Sequence, residues 1–330
     1  MIRTRLSLAY CGNLLLLCLL LSAGRPVSAA NPLEAVVGVR ATVPSDARTA
    51  DTLGTERQGS GVVIDDDGLV LTIGYLIMES DTVELSLADG RTIPAEVAAY
   101  DYDSGFGLLR PLARLGTAPA VLGKSGTLEE RTPVLVASFG GGAATTAAFV
   151  VSRREFAGYW EYLLDDAIFT TPPHSEFGGA ALFDRHGTLL GIGSLIVGDA
   201  AGGSDPLPGN MFVPIDILKP ILSDLVAHGR AAAPSRPWLG VYTEEHRGHL
   251  FVRRVAPEGP AARAGLAEND LIVAVAGAAV GGQADFYRKL WALGEAGIAV
   301  PLTLLRQGGL TEITVTSGNR YNYLKLNRTY

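Results

Sequence analysis

Few residues of this 330-residue chain combine the type and the spacing that catalysis or metal binding requires. The five histidines show no i,i+4 pair on a helix and no metal-ligand set: His174, His186, His228, His246 and His249. We therefore expect neither a metal site nor a cofactor. Both cysteines, Cys11 and Cys18, lie in the first 30 residues. The rest of the chain therefore has no thiol, disulfide or cysteine metal site.

Two short motifs resemble ion-binding loops. Residues 65–68, Asp-Asp-Asp-Gly, suggest calcium, but the spaced acidic ligands and the closing Glu of an EF-hand are missing, and a hairpin turn is favoured. Residues 140–143, Gly-Gly-Gly-Ala, lack the Gly-Lys-Ser/Thr ending of a phosphate loop, and a flexible turn is favoured. We therefore assign no ligand to either motif.

Residues 34–214 consist of short apolar runs separated by Gly, Asp and Pro turns about every ten residues, which is typical of an antiparallel barrel or sandwich. The pattern predicts strands at residues 35–43, 61–64, 69–73, 82–87, 107–111, 133–138, 148–152, 167–170, 180–183 and 189–194. Residues 216–228 carry apolar side chains on one face and precede Gly229, which predicts a helix.

A domain boundary is expected at residues 231–236, which are small and proline-rich. The following segment mixes predicted strands at 250–255, 271–275, 301–306 and 312–316 with predicted helices at 260–264 and 284–293, as in a small α+β domain. The pattern gives the tail no clear fold. The predicted divisions are residues 1–30, 31–230, a linker at 231–236, 237–316 and a tail at 317–330.

Residues 59–72 resemble the opening of the HtrA/Deg family of trypsin-like serine proteases. Segments similar to later family motifs follow in the same order, at residues 86–91, 101–108, 177–182, 190–192 and 212–214. The resemblance implies a mainly β fold, with two six-stranded barrels that enclose a catalytic cleft and a small α+β PDZ domain behind them.

The same resemblance locates the catalytic triad. In the family the histidine falls three residues after the threonine that is Thr72 here, which puts Tyr75 at its position. The aspartate falls on Gly105 and the serine on Phe177. Phenylalanine has no nucleophilic atom, tyrosine with a reference pKa of about 10 is a poor base at pH 7, and glycine has no side chain to orient a base. The catalytic positions are therefore predicted to be degenerate.

Displaced residues offer an alternative triad. His174 and Ser175 lie near the missing nucleophile, and Asp103 lies two residues before Gly105. Neighbouring residues in an extended loop point apart, so we favour a solvent-exposed loop histidine at position 174. An oxyanion hole is also doubtful, because the carboxylate of Glu176 would repel a developing oxyanion. Phe177 is predicted to pack in the space between the barrels.

Residues 237–316 resemble a PDZ domain of the HtrA type, through segments 238–241, 255–266 and 269–272. Such domains bind a peptide C-terminus as an added strand, and backbone N–H groups hold the terminal carboxylate. The resemblance assigns that role to the carboxylate loop: Trp238, Leu239, Gly240 and Val241. Alternatively, Trp238 and Leu239 cap the domain core against the linker.

The first 30 residues have the order of an export signal: Arg3 and Arg5, an apolar stretch at 14–21 and a small-residue cleavage site at 27–30. An uncleaved anchor is the alternative, but a span needs about 20 apolar residues. Cleavage removes three arginines and no acids, which changes the formal charge from −7 to about −10. A periplasmic protein with no nucleic-acid partner is expected.

Together these observations predict a catalytically inactive HtrA-like protease homologue. It would bind peptide C-termini or unfolded envelope proteins through the PDZ domain, as a scaffold or as a regulator of an active HtrA relative. Two alternatives stay open: an active serine endopeptidase of periplasmic quality control with a rearranged site, and a structural envelope subunit. An oligomer is compatible with the sequence, but residues 31–44 lack the aromatic side chains through which family members commonly form trimers.

Overall fold

The computed structural model describes residues 31–203 and 206–324. The predicted export signal, with both cysteines, lies outside the described residues. Within the described ranges, no helix is both long and apolar enough to cross a membrane.

The first six strands close into barrel 1, in the order β1-β2-β3-β6-β5-β4. Its interior is narrow, and at Gly61 an added Cβ atom would lie only 2.5 Å from Val70 Cγ1, so glycine is needed for closure. A short helix, α1 (Ala50–Leu53), lies between the first two strands. The strands are β1 (Val36–Thr42), β2 (Glu56–Val63), β3 (Val70–Ile73), β4 (Thr82–Ser86), β5 (Thr92–Tyr100) and β6 (Phe106–Pro111).

Barrel 2 has the equivalent order, β10-β11-β12-β9-β8-β7. Its strands are β7 (Pro133–Ala137), β8 (Thr145–Gly158), β9 (Tyr162–Thr171), β10 (Ala181–Phe183), β11 (Leu189–Val197) and β12 (Gly209–Pro214). The mainly β, double-barrel prediction is confirmed, and each predicted strand overlaps an observed one. Strands β5 and β12 were not predicted, and β8 and β9 are much longer than predicted.

The predicted helix at 216–228 is wrong over its first half. The chain forms a 3₁₀ turn at Ile215–Ile217 and then the shorter helix α2 (Leu222–His228). Pro220 explains the break, because it has no N–H to donate and disfavours helical backbone at Lys219. Gly229 ends α2 in the left-handed conformation, as expected of a C-terminal glycine.

The PDZ domain has a five-strand path in the order β13-β14-β15-β17-β18, with β16 paired to β15. Its own apolar core includes Leu239, Val252 and Phe286. Strand β13 lies at the edge of the sheet, and helix α4 packs near it. The elements are β13 (Val241–His246), β14 (His249–Val255), α3 (Pro260–Arg263), β15 (Leu271–Val275), β16 (Ala278–Ala279), α4 (Gln283–Ala292), β17 (Ala299–Arg306), β18 (Gly309–Thr316) and, in the tail, α5 (Arg320–Tyr323).

Strands β8 and β9 form a long hairpin that reaches the PDZ domain. Its last pair is Gly158 opposite Tyr162, and the three residues between them form the turn. We call residues 158–162 the hairpin tip. Ala157 and Leu163, which flank the tip, pack against the PDZ core. The hairpin is therefore a physical link between barrel 2 and the PDZ domain.

A buried arginine anchors the loop that follows β3. The Arg57 guanidinium donates to the carbonyl oxygens of Tyr75 at 2.9 Å and Met78 at 2.8 Å. It also donates to Gly54 O at 3.1 Å and to Thr49 Oγ1 at 2.8 Å. Burial lowers the pKa of Arg57, with Glu79 opposing the shift. These bonds set the backbone position of Tyr75.

We predict that Arg57→Leu lowers the free energy of unfolding by about 3 kcal/mol, because the substitution removes the donor from four buried or partly buried acceptors. Urea denaturation of residues 31–330 measures the change. The control is Arg253→Leu, which removes a half-exposed guanidinium paired with Glu244 and should cost less than about 1 kcal/mol. Equal losses in the two variants would contradict the anchoring role.

Candidate functional site

The two triad positions of barrel 1 lie side by side. The Gly74 N–H donates to Gly105 O at 2.7 Å, and Tyr75 follows Gly74 directly. The Tyr75 hydroxyl reaches barrel 2, where it donates to Ser194 O at 3.0 Å. A Cβ atom added to Gly178, the neighbour of Phe177, would lie 3.0 Å from this hydroxyl oxygen. The fold thus brings the three positions together between the barrels.

Tyr75 is a packed hydrogen-bond donor in this arrangement. Its ring is half-buried and packs against the main apolar core. Burial raises the pKa of Tyr75 well above its usual value of about 10. The hydroxyl therefore keeps its proton at neutral pH and supplies no general base at the histidine position.

Gly105 has backbone geometry and surroundings that disfavour a side chain. Its φ of +80° lies in the left-handed region that favours glycine. An added Cβ atom would lie 3.1 Å from the Tyr162 hydroxyl oxygen, which donates to Ser104 O at 2.6 Å. The Tyr162 side chain, from the start of β9, therefore occupies the space beside this position.

Residues 177–182, which resemble the family's nucleophile loop and are called by that name below, have a well-defined backbone with Phe177 at the predicted serine position. The Ser60 N–H of barrel 1 donates to Gly178 O at 2.8 Å. Gly179 has a φ of +75°, and an added Cβ atom there would lie 1.9 Å from Ser60 O, so only glycine fits. Phe177 itself is half-buried rather than enclosed, which corrects the expectation that it is packed between the barrels.

His174 is buried, so the expectation of an exposed loop histidine is wrong. Its Nε2 lies 3.1 Å from Ser138 Oγ and its Nδ1 2.9 Å from Thr146 Oγ1. The main-chain N–H of His174 donates to Asn210 Oδ1 at 2.7 Å. Burial lowers the pKa of His174, against an opposing effect of Glu176. The result is a neutral imidazole between two hydroxyl groups.

The displaced triad of Asp103, His174 and Ser175 does not assemble. Asp103 pairs with Arg236 at 3.2 Å and lines a cavity beside the linker. Burial raises the pKa of Asp103 to about 6, against the effect of Arg236. Ser175 is exposed, whereas the ring of His174 contacts Ser138 and Thr146. Asp103 and the His174 ring thus bond to different partners and not to each other.

Within residues 31–203 and 206–324, no group of three His, Cys, Asp or Glu side chains is placed to hold a metal ion.

The carboxylate loop places three successive N–H groups around one carboxylate. Leu239 donates to Glu161 Oε2 at 3.0 Å, and Gly240 and Val241 donate to Glu161 Oε1 at 2.6 and 2.9 Å. The Leu239 side chain belongs to the PDZ core, and the Trp238 ring contacts the Tyr323 ring with centroids 4.6 Å apart. The loop therefore has both features: capping side chains and converging N–H donors. Sequence reasoning did not identify Glu161.

Two family models match the chain. One, described as a trypsin-like peptidase domain, covers residues 59–192, and the other, a PDZ domain, covers residues 237–316.

Curated relatives are named as serine proteases. The chain is 27% identical over 298 residues to a probable periplasmic serine endoprotease, DegP-like, from Pseudomonas fulva, covering 84% of this chain and 60% of that protein. A DegP-like protein from Pseudomonas savastanoi is 28% identical over 280 residues, 80% of this chain and 56% of that protein. The putative serine protease HhoA from Synechocystis sp. is 27% identical over 303 residues, 80% of this chain and 71% of that protein. The chain spans 56–60% of the length of the two DegP-like relatives.

Solved structures support the fold assignment. The HtrA-type protease AlgW with a decapeptide aligns with a TM-score of 0.53 at 21% identity, over 89% of this chain and 97% of that chain. The serine endoprotease from Yersinia pestis aligns with a TM-score of 0.51 at 20% identity, over 87% and 94%. With the two family models and the curated relatives, the chain is a homologue of the DegP/HtrA serine proteases, in which a trypsin-like peptidase domain is followed by a PDZ domain.

Proposed function

We propose that this chain is a catalytically inactive HtrA-type protease homologue that binds carboxylate-bearing peptide ends through its PDZ domain. The observation that carries the binding function is the convergence of three N–H groups, from Leu239, Gly240 and Val241, on a single carboxylate. Backbone donors of this kind recognise a charged carboxylate without reading a side chain.

The inactivity rests on the residues at the triad positions. Tyr75 is a protonated donor to Ser194 O, and Phe177 has no nucleophilic atom. The left-handed backbone of Gly105 and the neighbouring Tyr162 hydroxyl oppose an aspartate at that position. Nucleophile, base and orienting group are therefore all missing, and the ordered nucleophile loop gives only the remnant of a cleft.

A second candidate is a serine hydrolase with a rearranged site. It is favoured by the contacts of His174, whose two ring nitrogens lie at hydrogen-bond distance from Ser138 Oγ and Thr146 Oγ1. Two features count against it. The Ser138 hydroxyl is buried, so a substrate has no direct access to it, and neutral Thr146 would stabilise an imidazolium less well than a carboxylate does.

For the biological setting, we propose an envelope location and a role towards unfolded exported proteins or an active HtrA relative. The support is that relatives are named periplasmic serine endoproteases and that an AlgW structure was solved with a bound decapeptide. We also propose the domain limits 31–230 and 237–316, with residues 231–236 as the linker, since the two ranges have separate apolar cores.

The absence of a working nucleophile can be tested directly. We expect purified residues 31–330 to leave casein intact and to remain unlabelled by a serine-reactive phosphonate probe, because Ser138, which contacts the His174 ring in the described part of the chain, is buried. A trypsin-like protease serves as the positive control. Labelling that is lost in Ser138→Ala or Ser175→Ala would instead support the rearranged site and identify its nucleophile.

The closed space at the aspartate position predicts a stability cost. Gly105→Asp should lower Tm by several degrees, because the left-handed φ and the Tyr162 hydroxyl both oppose the side chain, at about 1–3 kcal/mol. Gly90→Asp is the matched control: its φ is +85°, but no atom lies within 4 Å of an added Cβ atom. Thermal melting of both variants decides the point, and equal shifts would show that Tyr162 does not fill the position.

Peptide recognition can be tested on residues 237–316 expressed alone, from which Glu161 is absent. We expect binding to a peptide with an apolar C-terminal residue and a free carboxylate, and at least tenfold weaker binding of the same peptide as its C-terminal amide, because the loop loses its charged acceptor. Fluorescence polarisation measures both. Equal affinities would contradict carboxylate recognition by the loop.

A further inference from the structure

The hairpin tip lies along the free edge of β13. The Val241 N–H donates to the Glu161 side chain, and two residues further on the Thr243 N–H donates to Tyr159 O at 3.0 Å. In an edge strand, alternate N–H groups point away from the sheet, and an added peptide strand accepts from them. These outward donors of β13 are thus bonded to the tip.

Helix α4 holds the tip from the other side. The Tyr287 hydroxyl donates to Gly158 O at 2.7 Å and accepts from the Glu161 N–H at 3.2 Å. Gln283 Nε2, one turn earlier, donates to Thr243 Oγ1 at 2.8 Å and so bridges α4 and β13. The space between strand and helix, where a PDZ ligand lies, is therefore filled by protein atoms.

Glu161 is an unusual residue for its position in the turn. The turn has three residues, and the last of them, Glu161, has a φ of +57°, a conformation that such turns usually assign to glycine. The side chain is nevertheless buried, and burial raises its pKa while the N–H donors of Leu239, Val241 and Gly240 oppose the shift. A strained, buried glutamate at a hairpin turn is explained by the contact that its carboxylate makes.

We infer that the hairpin tip is an internal ligand of the PDZ domain, in which Glu161 takes the place of a peptide C-terminal carboxylate. The inference rests on the proposed peptide-binding function and adds its regulation: an external carboxylate has to displace Glu161 from the carboxylate loop. The chemistry of the two occupants is the same, a carboxylate facing the N–H groups of Leu239, Gly240 and Val241.

Residues of the C-terminal tail also hold the hairpin tip in place. Arg320 donates to Trp160 O at 3.1 Å, and its guanidinium lies 4.7 Å from the centroid of the Tyr102 ring. Tyr321 next to it donates to Tyr100 O in barrel 1 at 3.2 Å. The tip is thus held by the carboxylate loop, by α4 and by the tail at once. Because the internal ligand is tethered, its effective concentration at the groove is high. The apparent affinity for an external peptide is then the intrinsic affinity multiplied by the fraction of molecules in which the hairpin tip has left the groove.

The test compares residues 31–330 in three forms: the parent, Glu161→Gly and Asp165→Asn. Glu161→Gly removes the carboxylate and relaxes the left-handed turn, which offsets part of the cost of unpairing the three N–H donors; circular dichroism of each variant checks the fold. Asp165→Asn is the matched control, since it neutralises a largely exposed carboxylate on the same hairpin, paired with Arg288. Hydrogen exchange at Leu239, Gly240 and Val241 reports the occupancy of the loop. Polarisation of a fluorescein-labelled hexapeptide with a free C-terminal valine, and of its amide, reports binding.

We expect Glu161→Gly to speed exchange at the three amides at least tenfold and to bind the free-carboxylate hexapeptide at least tenfold more tightly than the parent. The Asp165→Asn variant should match the parent in both measurements. Unchanged exchange in Glu161→Gly, or equal peptide affinity in parent and Glu161→Gly, overturns the inference and leaves the proposed function standing. Faster exchange without any peptide binding supports occupancy by Glu161 and contradicts the peptide-binding function.

Discussion

The Glu161 carboxylate is a central link between barrel 2 and the PDZ domain, because it joins the hairpin tip to the carboxylate loop. Removing an ionised carboxylate from water costs several kcal/mol, and only well-placed donors offset that cost. The three N–H groups of Leu239, Gly240 and Val241 each contribute about 1.5–3 kcal/mol as bonds to a charged group. The hydrogen bonds offset the desolvation cost only while the carboxylate loop and the hairpin turn keep their relative position, so the loop and the turn constrain each other.

This constraint extends through contiguous contacts to the predicted triad positions. Tyr162 follows Glu161 in the chain, and its hydroxyl bonds to Ser104 O, next to Gly105. Gly105 O in turn accepts from the N–H of Gly74, next to Tyr75. An aspartate side chain at position 105 would compete with the Tyr162 hydroxyl for the same space. The glycine at position 105 and the docked hairpin are therefore compatible parts of one arrangement, since the glycine leaves the room that the Tyr162 side chain uses.

The sequence predicted those parts of the fold that depend on local patterns. Apolar runs bounded by Gly and Asp turns located most of the barrel strands, because both signals lie within a few residues. Strand β5 was missed since Pro94 lies inside it and cannot donate to a strand ladder. His174 was expected to be exposed because its partners, Ser138 and Thr146, are distant in sequence and come near only in the folded chain.

The candidate site, like the fold, was predictable where a short sequence motif marks it. Family spacing predicted triad positions at Tyr75, Gly105 and Phe177 and a carboxylate loop, because these are short motifs. The loop's occupant could not be found in this way, since Glu161 lies 78 residues before Leu239 and its turn carries no glycine to mark it.

Docking of the hairpin also satisfies the polar groups that line the PDZ groove. A carboxylate loop with three converging N–H donors is costly to leave unpaired once it is removed from water. An edge strand such as β13 likewise presents free donors that attract other chains. The hairpin tip satisfies both needs at once, through Glu161 for the loop and Tyr159 for the strand. The hairpin tip that covers the groove is therefore also the group with which an external carboxylate would compete for the carboxylate loop.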